Sequence, residues 1–245
     1  MSKKERRNLD LVTEKYGPFE KWHGWACVIA ILCYFVIPEI ADYFIGASPS
    51  LILIIQSVNY SWVMLLFLFI QFGLTFAVVI SCFGKYIWQS FKLFFSKFFR
   101  NIGISITLFF ASTICLQLVY PIIMYFNQNN ANQNQESLDA TAAVLPVVMW
   151  IVTVIMAPIC EEIIFRWGIF RPLYKKCPWF AHIFTAIIFS GMHIITSVLS
   201  GNYYELVNIL AYLPLAFAMS FAYSWSGNIF TPILLHIVNN AIASA

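Results

Sequence analysis

Six residues able to do chemistry stand inside long apolar runs: Glu161, Glu162 and Arg166 in one, His193 in the next, and His236 with Asn240 in the last. Ionisable groups within a membrane helix are costly, so each needs a partner or a task. On an α-helix Arg166 follows Glu162 by four residues and lies about 40° from it, the favourable order for an ion pair, while Glu161 sits about 140° away. Arg166 therefore neutralises Glu162 and leaves Glu161 free. A desolvated carboxylate without a counter-charge suits general-base activation of water, so Glu161 is the expected base. Phe189, four residues before His193, is spaced to pack against the imidazole, and His236 and Asn240 present two donors one turn apart on one face. Counted from the cytoplasmic helix ends at about 1.5 Å per residue, Glu161 lies about 15 Å deep, His193 about 21 Å, His236 about 12 Å and Asn240 about 18 Å. The four can therefore converge in the middle of a bilayer.

The elements that must position them follow from composition. Of 245 residues, 61% are apolar and only 10% charged, against about 25% charged in an ordinary soluble domain. With a mean hydropathy of +0.78, a soluble enzyme and a disordered chain are both excluded. Seven long apolar runs with few or no charges, 25–45, 59–82, 101–126, 140–170, 179–199, 205–225 and 229–245, approach or exceed the roughly 20 residues that cross hydrocarbon. The segment 51–58 lies at the surface or lengthens the second run, and Pro214 kinks or splits the sixth, which would add a short eighth helix. The expected fold is all-α: a polytopic transmembrane bundle of about seven to eight helices with one interfacial amphipathic helix. That last helix is read from Lys85, Gln89, Lys92, Ser96 and Arg100, which recur at helical spacing opposite Trp88, Phe91, Phe95 and Phe98.

Basic residues cluster before run one, between runs two and three, and after run four, while the connections 46–58, 127–139 and 200–204 contain no Lys or Arg. The positive-inside rule then makes the N-terminus cytoplasmic and the protein an integral multi-pass protein of the cell membrane. The chain divides into a basic cytoplasmic segment 1–24, N-terminal transmembrane helices with the interfacial helix over 25–139, and a core over 140–245. A net charge of +3 scattered in short groups is not a nucleic-acid surface, and the expected surroundings are a lipid bilayer. No cleaved signal peptide is expected. The six cysteines form no Cys-x-x-Cys pair and read as small buried apolar residues. His23 and His182, near span ends, read as interfacial, and the Asn- and Gln-rich stretch 127–135 as a solvated connector without a function.

Glu161-Glu162-Ile-Ile-Phe-Arg166, Phe189-Ser-Gly-Met-His193 and His236-Ile-Val-Asn-Asn240 resemble, in order, the three motifs of the CPBP family, which takes in CAAX prenyl endopeptidases of the Rce type, Abi proteins and bacteriocin-processing enzymes. The resemblance covers about residues 146–245 and makes 140–245 a CPBP-like catalytic core. It implies a glutamate-dependent intramembrane endopeptidase acting on a membrane-associated peptide or protein. In that reading Glu161 and His193 activate water, His236 and Asn240 form the oxyanion hole, and Glu162, Arg166 and Phe189 support the site. No cofactor is required. A zinc-dependent version with Glu161, His193 and His236 as ligands stays open, although the His-Glu-x-x-His ligand helix is absent. A non-catalytic immunity or regulatory membrane protein also stays open. A transporter is disfavoured because the two halves show no internal repeat.

Overall fold

The computed structural model describes residues 22–36, 40, 60–127 and 132–244, and among these it contains nine helices and no strand. Helix α1 is Trp22–Ile31 widening into a π-turn over Leu32–Val36. Helix α2 runs unbroken through Tyr60–Leu68, a π-segment Phe69–Gly73 and Leu74–Ser96. There follow α3 (Phe98–Phe126), α4 (Gln133–Val144), α5 (Pro146–Lys176), α6 (Pro178–Met192), α7 (Ile195–Leu199), α8 (Tyr203–Ser226) and α9 (Phe230–Ala243). The Leu74–Ser96 part of α2, with α3, α5 and α8, is long and apolar enough to cross a membrane, and α1, α6 and α9 are shorter apolar helices. Each of the seven apolar runs thus holds one of these seven apolar helices, and the short α7 and the end of α4 fall within two of the same runs. The segments 1–21 and 46–58 lie outside the described residues.

Boundaries differ from the sequence expectation where local chemistry interrupts an apolar run. The run 140–170 breaks at Leu145, whose φ of −133° and ψ of 62° leave the helical region because Pro146 crowds the residue before it and has no N–H. Pro214, by contrast, does not split α8, which passes from a 3-10 turn over Tyr203–Asn208 into an α-helix over Ile209–Ser226. The extra short helices are instead α4 and α7. The basic amphipathic stretch is helical up to Ser96 as the end of α2, closed at Lys97 by a turn with φ −130°, and its last residues, Phe98 and Arg100, open α3, so it is not an element of its own.

Helix α8 is the central post, packed along α3, α6 and α9. Its buried face is built from Ala216, Ala218, Ser220 and Ala222, small residues that let helix backbones approach where lipid offers no hydrophobic drive. Helix α9 also rests on α5 and α2, and α1 lies against α2 and α5. The approach of α1 to α5 is close: a Cβ at Gly168 would stand 3.1 Å from Cys27 Sγ. The chain leaves α8 through Gly227 in the left-handed region, φ 65°, which a residue without Cβ adopts freely. Asn228 then accepts from Phe230 N–H, starting α9, and donates to the Ser90 carbonyl of α2 at 2.8 Å.

Two sequence expectations are corrected by packing. The connector after α3 is not merely solvated: Asn127 is buried and donates to Asn208, while Gln133 N–H and Asn208 donate to the two oxygens of buried Glu205. His182 is not interfacial but buried, donating to Ser220 Oγ at 2.7 Å, because that hydroxyl gives its own proton to the Phe217 carbonyl; the side chain of His23 lies outside the description. Of the cysteines, all free, Cys27, Cys33 and Cys160 are buried as expected, Cys82 is half-buried, and Cys115 and Cys177 are exposed.

Candidate active site

Helix α5 carries the acidic pair into the bundle. Glu161 and Glu162 end the α-helical turn Ala157–Glu162, and Arg166 lies in the π-segment Ile163–Phe170 that follows, the kind of widened turn that recurs at functional sites. The three are 4%, 0% and 1% exposed, so their charges must be answered within the protein. Arg166 Nε stands 3.1 Å from Glu162 Oε2 as a close charge contact. Its Nη2 donates to the Ala216 carbonyl of α8 at 3.2 Å, and the guanidinium lies over the Phe189 ring, 5.0 Å from its centroid.

His236 of α9 joins both acids. Its Nδ1 meets Glu162 Oε1 at 3.1 Å; because a carboxylate only accepts, Nδ1 carries a proton and donates. Its Nε2 is 3.8 Å from Glu161 Oε2, too far for a direct hydrogen bond and near enough for one water to touch both atoms. Glu161 Oε2 is buried without a hydrogen-bond partner, whereas Oε1 accepts from the Tyr34 hydroxyl of α1 at 2.5 Å.

His193 closes α6, and its ring is fixed by the way that helix ends. Its backbone N–H bonds to the Ser190 carbonyl instead of continuing the ladder to Phe189. The freed Phe189 carbonyl accepts from His193 Nδ1 at 2.8 Å, a side-chain answer to an orphaned helix-end acceptor. This again puts the ring proton on Nδ1 and leaves Nε2 as acceptor. The imidazole is sandwiched between Phe189, 4.9 Å between centroids, and Tyr212 of α8, stacked at 4.4 Å and 24°. Phe189 also meets His236 at 5.8 Å, so one phenyl ring packs both histidines and the guanidinium. Tyr212 in turn accepts from Asn134 and donates to Asn132, which ties the start of α4 to the histidine.

Asn240 lies one turn beyond His236. Its Nδ2 donates to the Thr153 carbonyl of α5 at 2.9 Å and its Oδ1 accepts from Asn239, so the amide is oriented and one N–H remains for another acceptor. The structure brings Glu162, Arg166, His236 and Phe189 into contact, sets Glu161 facing His236 and His193 against Phe189, and leaves Asn240 one turn beyond His236, bonded to Thr153 rather than to any of them. Sequence reasoning missed Tyr34 and Tyr212. Their signal was a polar hydroxyl on an aromatic ring inside an apolar run, which in lipid calls for a partner.

Zinc would need Glu161, His193 and His236 as a three-ligand set. Among the described residues no three His, Cys, Asp or Glu side chains are gathered closely enough to hold a metal ion, so as placed they do not fit it. A cleft of about 630 Å³ at the ends of α3 and α8 is lined by Tyr125, Phe126, Tyr203 and Tyr204, away from the carboxylates.

Residues 143–242 match the Type II CAAX prenyl endopeptidase Rce1-like family. This Rce1-like stretch holds Glu161, Glu162, Arg166, Phe189, His193, His236 and Asn240, and it leaves out Tyr34. Curated relatives match parts of the chain. One is YdiL of Bacillus subtilis (strain 168), which bears the name of a membrane peptidase: 35% identity over 106 residues, 41% of this chain and 39% of that protein. A second is the UPF0177 protein YvdC of Lactococcus lactis subsp. lactis (strain IL1403), 30% identical over 34% of this chain and 32% of its own length. The membrane-embedded CAAX protease MroQ of Staphylococcus aureus (strain USA300) is 27% identical over 54% of this chain and 52% of its own length. The matches thus span about a third to a half of these relatives. No solved structure gives a significant match.

Proposed function

We propose that the protein is an intramembrane endopeptidase that hydrolyses a peptide bond of a membrane-associated peptide or protein, with Glu161 as general base. The observation that carries this reading is the unpaired, buried Glu161 Oε2 facing His236 Nε2 at 3.8 Å inside the Rce1-like stretch. Arg166 answers Glu162, Glu162 holds His236, and Glu161 keeps one oxygen for water.

In the proposed reaction a water gives a proton to Glu161 Oε2 while its oxygen bonds to the scissile carbonyl carbon, and the carbonyl π-electron pair moves onto oxygen. His193, with its Nε2 lone pair, orients that water. The oxyanion is met by the remaining N–H of Asn240 and by His236. Because Glu162 already holds its Nδ1 proton, His236 donates from Nε2 only as the imidazolium, a charge that Glu162 balances. As the oxyanion collapses, the C–N bond breaks and the proton held by Glu161 passes to the leaving nitrogen, giving a carboxylic acid and an amine. Preorganised donors of this kind are worth about 3 to 4 kcal/mol each in the transition state. No metal takes part in this scheme, and the segment before α1 faces the cytoplasm.

The test is peptidomics of cells carrying the intact protein or Glu161→Ala. Peptides that vanish in the variant at equal protein level are the products, and identical peptidomes refute the assignment. Stoichiometric zinc in purified protein, with cleavage lost on chelation and restored by zinc, would replace the glutamate-base account.

A further inference from the structure

Tyr34 lies on α1, outside the Rce1-like stretch, yet its hydroxyl reaches the carboxylate on which the proposed reaction turns. Oη donates to Glu161 Oε1 at 2.5 Å across 127 positions of chain. The ring is held edge-on by Phe35, 4.8 Å and 70°, and by Phe72 of α2, 5.7 Å and 81°. Helix α1 itself is seated on α5 where Cys27 meets Gly168. The other carboxylate oxygen, Oε2, has no hydrogen-bond partner and faces His236. The fold therefore makes the two oxygens of one carboxylate unequal: one is occupied by a phenol, the other open.

We propose that Tyr34 is a positioning residue that locks the Glu161 carboxylate and reserves Oε2 as the oxygen that takes the proton. The proposal rests on the reading of Glu161 as base and deepens it, because it gives the N-terminal helices a part in the site. A hydrogen bond to an ionised acceptor is roughly twice as strong as a neutral one, so the phenol holds the carboxylate in one orientation. The other titratable and charged groups around Glu161 are Cys160, Glu162 and Arg166 on α5, His193 on α6 and His236 on α9. Replacing Tyr34 by Phe alters none of them and keeps the ring contacts.

Tyr34→3-fluorotyrosine sets a fluorine label beside the phenol and keeps the ring contacts. Its fluorine resonance in detergent is expected to move when Glu161→Gln replaces the ionised acceptor by a neutral amide, with the melting temperature unchanged, and a resonance that stays in place overturns the proposal; this arm stands even where a Phe variant does not fold. Tyr34→Phe is expected to lower kcat about 10- to 100-fold with KM unchanged, because it removes the tie to Glu161 and no substrate contact, and an unchanged kcat overturns the positioning role. Cleavage separates it from the reading beneath: a moved resonance together with full cleavage by Glu161→Gln removes the base assignment and leaves the Tyr34 tie standing. An unmoved resonance with Glu161→Gln inactive removes the Tyr34 role alone.

Discussion

Arg166 holds the site together from below, since it contacts the Glu162 carboxylate, the Ala216 carbonyl and the Phe189 ring at once. Arg166→Ala strands Glu162 as a buried charge and loosens the phenyl ring that packs both histidines, so a loss of about 3 to 5 kcal/mol is expected. The check is thermal unfolding in detergent alongside steady-state protein level; an abundant protein with unchanged melting would refute the pairing. Asn240→Ala is a different case, because the side chain is half-buried and its bond to Thr153 is a single contact between helices. Cleavage is expected to fall about 10²- to 10³-fold with the fold retained, measured as product formed per unit of protein. The four-residue spacings of Glu162 with Arg166 and of Phe189 with His193 were legible in the sequence because helical geometry alone brings those groups together. Tyr34 with Glu161 and Tyr212 with His193 were not, because they join different helices, and periodicity along one helix says nothing about which face meets a neighbour.

At the level of elements, apolar length located seven apolar helices, four of them long enough to cross a membrane among the described residues, and the breaks depended on single residues. Pro146 was a readable stop overlooked inside an apolar run, whereas the end of α6 at His193 is made by a side chain that takes over a backbone acceptor, which composition does not announce. The joint between α1 and α5 has its own consequence. Gly168→Val places methyl groups where Cys27 Sγ already stands, 3.1 Å from the first added carbon, and overpacking of this sort costs about 1 to 3 kcal/mol. Because α1 carries Tyr34, cleavage is expected to drop together with stability. Adding Cys27→Ala removes the obstructing sulfur, so the double variant should recover part of both losses. Independent, additive effects in unfolding and cleavage assays would show that the two helices do not meet there.

The whole molecule is polarised along its helix axes. One end carries the exposed lysines Lys175 and Lys176 and the basic end of α2, and the other carries a polar cap without Lys or Arg in which Asn127, Asn208 and Glu205, and Asn132, Asn134 and Tyr212, bond to one another. Positive charge is retained on the cytoplasmic side, so the turn between α5 and α6 should face the cytoplasm and α4 the outside. Cys177 is a natural reporter, since it is exposed in that turn directly after the two lysines. Cys27, Cys33 and Cys160 are buried, and Cys115 sits in the middle of α3, where a charged reagent does not penetrate. A membrane-impermeant maleimide is expected to leave Cys177 unmodified in intact cells and to modify it once the membrane is opened. Ser137→Cys on the exposed face of α4 should react in intact cells. The reverse pattern would invert the molecule and place the His193 end of the site, with the polar cap above it, toward the cytoplasm.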